Sequence, residues 1–130
     1  MEILLVEDNA GDTVLIRQIL SEIGEPVNLH IARDGEQALT MIGGGYFEPE
    51  LIILDLNIPR ITGVALMEKW RSVDVPVVVF SSSLDASERE RVLALGAREF
   101  VGKPTKLEAY VGAVRGIIER WSRNRSIGGA

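Results

Sequence analysis

The chain has 130 residues, a net charge of −5, 46% hydrophobic residues, 25% charged residues and no cysteine. This suits one globular domain with an ordinary core, not a disordered segment, and the acidic balance argues against nonspecific nucleic-acid binding. Disulfides, thiolate catalysis and zinc–thiolate sites are excluded. No apolar run approaches the roughly 20 residues of a membrane span and no leader pattern opens the chain, so the expected compartment is the cytoplasm.

The first aliphatic run, Ile3–Val6, predicts a strand, and Glu7-Asp8 follows it directly. A helix is expected over Asp12–Ile23, stopped by Gly24. Val27–Ala32 predicts the second strand. Asp34 and Gln37 then fit a capping pattern for a helix over Glu36–Ile42. Gly43-Gly44-Gly45 reads as a flexible loop; a phosphate cradle needs a helix immediately after it, and Tyr46-Phe47-Glu48-Pro49 does not resemble one. Leu51–Leu54 predicts the third strand, with Asp55 directly behind it, and a helix follows over Val64–Arg71. Pro76–Phe80 predicts the fourth strand, ending at Ser81-Ser82-Ser83. Asp85 and Glu88 open a helix over Ser87–Leu95, which Gly96 stops. Glu99–Val101 predicts the fifth strand, followed by Gly102-Lys103-Pro104. Thr105 and Glu108 open a last helix over Lys106–Arg123. The domain is expected over 1–125, with a disordered tail over 126–130.

Strict alternation of strands and helices predicts right-handed crossovers and a parallel sheet covered on both faces. Three of the strands are nearly continuous Val/Ile/Leu, as strands buried on both faces are. The expectation is a flavodoxin-like α/β fold, a doubly wound five-stranded sheet of order 2-1-3-4-5.

In such a sheet ligands bind beyond the carboxyl ends of the strands, at the switch point between the first and third. Glu7 and Asp8 stand at one of those ends and Asp55 at the other. Carboxylates gathered there repel one another unless a cation joins them, and carboxylate, carbonyl and water ligands suit Mg²⁺; the Asn57 carbonyl is placed to be the backbone ligand. Proline disfavours the helical region for the residue before it, so either isomer of the Lys103–Pro104 bond holds Lys103 at a strand end, aimed at the cluster. Lysine there pairs with a carboxylate or with phosphoryl oxygens, and a Ser81 hydroxyl donates to a phosphoryl oxygen. Each element has a plainer reading. Glu7-Asp8 alone is a helix lead-in, Asp55 a turn residue, Lys103-Pro104 a loop, Ser81–Ser83 a cap and Phe100 a core residue. The combination decides for a Mg²⁺-assisted phosphoryl-accepting aspartate, because four strands each bring the right group to one edge.

With Leu5-Val6-Glu7-Asp8-Asn9, Ala32–Leu39, Leu54-Asp55-Leu56-Asn57-Ile58-Pro59, Pro76–Ser81, Gly96-Ala97 and Lys103-Pro104 in place, the chain resembles a bacterial two-component response-regulator receiver domain from Ile3 to about Trp121. The resemblance implies that Asp55 accepts the phosphoryl group and that Glu7, Asp8, Asp55 and the Asn57 carbonyl hold Mg²⁺. It also implies that Lys103 contacts the phosphoryl group, Ser81 is the switch hydroxyl and Phe100 the switch aromatic. Glu7 departs from the Asp often found first in the acidic pair, and its longer arm is expected to reach the metal through water. Thr62-Gly63 replaces the common Asp-Gly, with Gly63 expected to keep the turn. Phe100 lacks the hydroxyl of the Tyr often found there.

The opening Glu7–Asp12 and the run Leu56–Arg60 look like stand-alone receivers paired with phytochrome-type or other hybrid sensor kinases. The implied partners are a sensor histidine kinase, phytochrome-like among the options, and a downstream protein target reached through a phosphorylation-dependent surface. Trp121, with Arg115, Arg120, Arg123 and Arg125 along the last helix, reads either as a solvated helix end or as a homodimer contact on the C-terminal face. A phosphatase is disfavoured because Asn57 stands where an acid–base Asp is needed. A pseudo-receiver is disfavoured because the acidic pair, acceptor and lysine are all present. A flavin binder is disfavoured because Glu7-Asp8-Asn9 replaces the phosphate loop. The chain is therefore expected to be a phosphoacceptor signalling protein, not an enzyme that turns substrate over.

Overall fold

A computed structural model describes residues 1–44 and 47–129, with side chains described as far as residue 122. The elements alternate as expected: β1 (Glu2–Val6), α1 (Ala10–Glu22), β2 (Asn28–Ala32), α2 (Gly35–Gly43), β3 (Leu51–Leu54), α3 (Gly63–Lys69), β4 (Val77–Ser81), α4 (Ala86–Ala94), β5 (Glu99–Gly102) and α5 (Leu107–Gly129). The five strands form one sheet in the order β2-β1-β3-β4-β5, and all four pairings are parallel. This is the flavodoxin-like arrangement that the alternation predicts.

The central strands explain the two-sided cover. In β3 and β4 every residue is buried, so their side chains fill a core on each face. One core gathers Leu4, Val6, Ile52, Leu54 and Val79 against α2, α3 and α4 through Ala38, Leu66, Met67, Trp70 and Val92. The other gathers Ile3, Leu5, Ile53, Val78 and Phe80 against α1 and α5 through Ile16, Ile19, Leu20, Val114, Ile117 and Ile118. Alternate residues of one strand thus serve opposite cores, as the two-residue period requires.

Helix starts follow their caps. Asn9 accepts from the Asp12 amide, so α1 begins at Ala10, ahead of the expected Asp12. The Asp34 carboxylate accepts from the Gln37 amide at 2.8 Å, and the Gln37 side chain accepts from the Arg33 amide at 2.7 Å. Gly24 (φ 83°) and Gly96 (φ 113°) take the left-handed conformation where helices stop, which glycine adopts without a Cβ clash. All described peptide bonds are trans, Lys103–Pro104 included. Gly43 ends α2 and Gly44 caps it, while Gly45 and Tyr46 of the expected loop lie outside the described residues. Helix α5 is assigned to Gly129; the side chains of the expected tail, and Ala130 entirely, lie outside the described residues.

Gly63 closes the segment after Asp55, its amide donating back to the Leu56 carbonyl at 3.2 Å, and it also meets a need for close approach. It is the first residue of α3, capped by Thr62, and a Cβ there would lie 2.7 Å from the Leu56 Cα and 3.1 Å from the Asp55 carbonyl oxygen. Gly35 likewise lets α2 meet the β3–α3 loop, where a Cβ would lie 2.5 Å from the Ile61 Cβ. These contacts fix the loop that follows Asp55. Gly63→Ala is expected to lower unfolding free energy in urea by about 1–3 kcal/mol, the usual cost of overpacking. An unchanged midpoint would mean that the loop yields freely.

Candidate functional site

Three backbone hydrogen bonds carry the sheet's pairing one residue beyond its strands. The Glu7 amide donates to Ala32, the Asp55 amide to Val6 and the Lys103 amide to Ser81, at 2.9, 3.0 and 2.9 Å. The residues expected to carry the chemistry are therefore held by the ladder itself. Burial follows from this position: Glu7 is 1% exposed, Asp55 6% and Ser81 0%.

The side chains meet around Lys103. Its ammonium donates to Glu7 Oε1 at 2.5 Å, to Asp55 Oδ2 at 2.9 Å and to Asp12 Oδ2 at 3.3 Å. The other Asp55 oxygen, Oδ1, accepts from the Ser81 hydroxyl and the Asn57 amide, each at 3.0 Å. Glu7 Oε2 accepts from the Asn9 amide at 3.3 Å. Asp8, the second member of the acidic pair, is exposed at the rim, as is Asn57.

Two buried carboxylates sharing one cation are driven apart in acidity. Burial, reinforced by the Asp55 charge, pushes the Glu7 carboxyl up to about 7 against the hydrogen bond from Lys103. Burial also opposes the Asp55 charge, but Lys103 and the Asn57 amide outweigh it, and Asp55 stays below the usual carboxylate range. Burial works against the Lys103 ammonium too, yet its bonds to Glu7 and Asp55 hold it above the usual lysine range. Of the two, Asp55 is the carboxylate more firmly held in its ionised form.

Among the described residues, no three acidic or histidine side chains converge into a ready metal cage; Lys103 sits between Glu7 and Asp55 instead. The donor set is oxygen throughout, which suits a hard divalent cation. Glu7 and Asp55 bring buried carboxylate oxygens to one edge, and Asp8 adds an exposed one at its rim. The residues therefore fit a divalent cation, with Glu7, Asp8, Asp55 and the Asn57 carbonyl as its candidate holders.

The remaining expected residues, Phe100 and Trp121, lie outside the Lys103 cluster. Phe100 is half-buried, with the Arg89 guanidinium 5.6 Å from its ring centre. Beside it lies a hollow of about 260 Å³ bordered by Ser83, Leu84 and Asp85. Trp121 is half-buried and its indole N–H donates to Glu99 at 2.8 Å; Arg120 pairs with the same carboxylate at 2.7 Å. Sequence reasoning missed Asp12, which belongs to the Lys103 cluster, and Tyr110, whose hydroxyl donates to Asp12. An acidic residue one turn into α1, beside the edge that bears Glu7, was the available signal. It also missed Arg60, the one described non-glycine residue in the left-handed region (φ 72°), whose side chain pairs with Asp34 at 3.4 Å.

A family described as the response regulator receiver domain matches residues 3–115. Response regulator MprA of Mycobacterium avium (strain 104) is 34% identical over 122 residues, 92% of this chain and 52% of the relative. MprA of Mycobacterium leprae (strain TN) is 33% identical over 122 residues, with the same coverage of 92% and 52%. The chain spans about half the length of these curated relatives. Among solved structures, the phosphorylated cyanobacterial phytochrome response regulator RcpA is similar at TM-score 0.87 and 30% identity, over 92% of each chain. The Mn(2+)-bound form of response regulator Rcp1 has TM-score 0.87 and 28% identity, over 92% of this chain and 93% of that one. Response regulator RPA3017, in red light signaling of R. palustris, has TM-score 0.80 and 25% identity, over 92% of each.

The acidity of Glu7 has a consequence for stability. Its carboxyl titrates near 7 in the folded chain against an ordinary 4.5. Between those values the folded state binds more protons than the unfolded one, so the contribution of Glu7 is present below the lower value and lost as pH rises through the upper. Without divalent cations, the thermal midpoint of the native chain is expected to fall relative to that of Glu7→Gln as pH rises across this window. Parallel pH profiles for the two proteins would show that Glu7 titrates normally.

Proposed function

The chain belongs to the response regulator receiver domain family, and from that premise we propose that it accepts a phosphoryl group on Asp55 from a sensor histidine kinase, in a Mg²⁺-dependent step that switches a protein-interaction surface. The observation that carries the reading is the buried, ionised Asp55, with Ser81 and Asn57 donating to one oxygen and Lys103 to the other. The first oxygen is fixed by two donors, and the second accepts from Lys103 alone, an ammonium it shares with Glu7 and Asp12. We assign attack to the second.

A phosphohistidine or a small phosphodonor brings its phosphorus to Asp55 Oδ2. The Asp55 oxygen–phosphorus bond forms as the bond to the leaving nitrogen or oxygen breaks, and the leaving group keeps that electron pair. Lys103 moves from Asp55 toward the phosphoryl oxygens and neutralises part of their charge. Ser81 exchanges its bond to Asp55 for one to a phosphoryl oxygen. When bound, Mg²⁺ supplies further charge neutralisation on the transferring group. Water later hydrolyses the acyl phosphate, so the chain acts as a signalling acceptor and not as an enzyme for an outside substrate.

The downstream signal is assigned to Phe100 and the faces of α4 and α5 beside it. The ring is half-buried and borders a hollow, so it has space to turn when Ser81 is drawn toward the phosphoryl group, biasing two packings of one surface. A phytochrome-like kinase is the favoured donor, supported by the likeness to RcpA at 30% identity. A homodimer through the C-terminal face would use the outer side of the Trp121–Glu99–Arg120 cluster.

Intact mass after incubation with acetyl phosphate and Mg²⁺ tests the reading. One added phosphoryl group is expected on the native chain, with none on Asp55→Asn and none without Mg²⁺. A folded native chain that gains no mass would defeat it. For the dimer, light scattering on the native chain and Trp121→Ala is expected to give a dimeric and a monomeric mass; equal masses count against this contact.

A further inference from the structure

Asp12 is not among the residues assigned to the transfer, yet both its oxygens are engaged. It lies in the first turn of α1, where the Asn9 side chain accepts from its amide at 2.9 Å. One carboxylate oxygen accepts from the Tyr110 hydroxyl and the other from Lys103 at 3.3 Å. Tyr110 comes from α5 and is 6% exposed. Its ring stands edge-on to Phe80 at 5.2 Å, and Phe80 lies beneath Lys103, 5.9 Å from ring centre to ammonium. Burial first, and the Asp12 hydrogen bond second, push the Tyr110 phenol well above its ordinary range. The hydroxyl therefore remains a donor at any pH at which the fold works.

We propose that Asp12 competes with Asp55 and the incoming phosphoryl group for Lys103, and that Tyr110 weakens this competition by holding Asp12 and satisfying part of its charge. The inference rests on the phosphoacceptor reading above. A lysine ammonium has three N–H donors, and here Glu7, Asp55 and Asp12 take them at 2.5, 2.9 and 3.3 Å. A phosphoryl oxygen gains a donor only if one carboxylate releases it. Asp12 has the longest of the three contacts, and its other oxygen is occupied by Tyr110. Without that hydroxyl the Asp12 carboxylate is less satisfied and free to close on Lys103, drawing it from Asp55. Without the Asp12 charge, the ammonium is shared between Glu7 and Asp55 alone. Both are positioning residues acting through Lys103, and their removal has opposite signs.

The experiment follows phosphorylation of the full chain by acetyl phosphate at saturating Mg²⁺ for the native chain, Tyr110→Phe, Asp12→Asn and the double variant. The NMR resonance of the Lys103 ammonium is recorded without phosphodonor, with Lys69 and Lys106 as references. Tyr110→Phe is expected to slow phosphorylation roughly three- to tenfold, the net scale of one ordinary hydrogen bond, and Asp12→Asn to speed it by a similar factor. The double variant should match Asp12→Asn, because Tyr110 acts only through Asp12. The Lys103 resonance should move in both single variants while the references stay. Rates changing in the same direction, additive effects in the double variant, or an unmoved Lys103 resonance would overturn the inference. Thermal unfolding checks that each variant folds, with Asp12→Ser replacing Asp12→Asn if the latter does not. A native chain that takes no phosphoryl group defeats the phosphoacceptor reading itself, a result distinct from a native chain that is phosphorylated while the variants match it.

Discussion

One ammonium, that of Lys103, holds the functional edge of this fold together. It lies within 3.3 Å of carboxylate oxygens from three separate parts of the chain: Glu7 after β1, Asp12 in α1 and Asp55 after β3. Without it, Glu7 and Asp55 would be buried acids side by side. Breaking a buried ion pair from one side costs far more than the pair contributes to stability. Such an edge is a poor device for making a protein stable and a good one for holding charge in readiness. Burial is the stronger influence on Glu7, since even with Lys103 at 2.5 Å it lifts that carboxyl to about 7.

The sheet makes this arrangement possible. Register places Val6 beside Leu54 and Leu54 beside Val79, so the residues that follow emerge together. The extended ladder then fixes Glu7, Asp55 and Lys103 by their own amides. Side chains of the same strands are buried on both faces, and slipping any strand by one residue would send the wrong set into each core. The hydrophobic register that folds the chain is therefore also the register that aligns the charges. Gly35 and Gly63 extend this control to the β3–α3 loop, which approaches more closely than a Cβ would allow.

Much of this was legible in the sequence, for identifiable reasons. Runs such as Leu51–Leu54 are short, aliphatic and ended by a charge, which leaves little choice but a buried strand with its functional group at the tip. The first four helix starts were each read a residue or two late, most at α1, where Asn9 was not recognised as the cap; Thr62, the cap of α3, had likewise passed as part of another motif. The family's pattern assigned Asp55, Lys103 and Ser81 to one site, and the geometry brings them together. It did not signal Asp12, because the contact with Tyr110 spans 98 residues and depends on how α5 packs across α1. Nor could sequence tell which of Glu7 and Asp8 turns inward: adjacent residues leaving a strand face opposite ways, and only the pairing of Glu7 with Ala32 settles it. Trp121 stood out as an aromatic among arginines, while its partner Glu99 lay on β5, beyond the reach of any local pattern.

The position of Ser81 sharpens what a switch here has to do. Its hydroxyl already donates to Asp55 at 3.0 Å, so on the proposed reading phosphorylation does not need to summon it from a distance. A ligand or modification shifts a two-state equilibrium only by its differential contacts with the two states. With Ser81 in place, those contacts are the new phosphoryl oxygens and the redistribution of Lys103 among its partners. Phe100 has no hydroxyl to fasten either end of its movement, and its partner in this state is the Arg89 guanidinium, 5.6 Å from the ring. A cation–π contact of this kind at a partly exposed site contributes about 0.5–1 kcal/mol. That is small enough for a charge-assisted hydrogen bond formed at the phosphoryl group to overcome. On the proposed reading the two contacts therefore differ in scale: the redistribution of Lys103 among its partners would set the state, and the weak contact between Arg89 and Phe100 would let the surface follow.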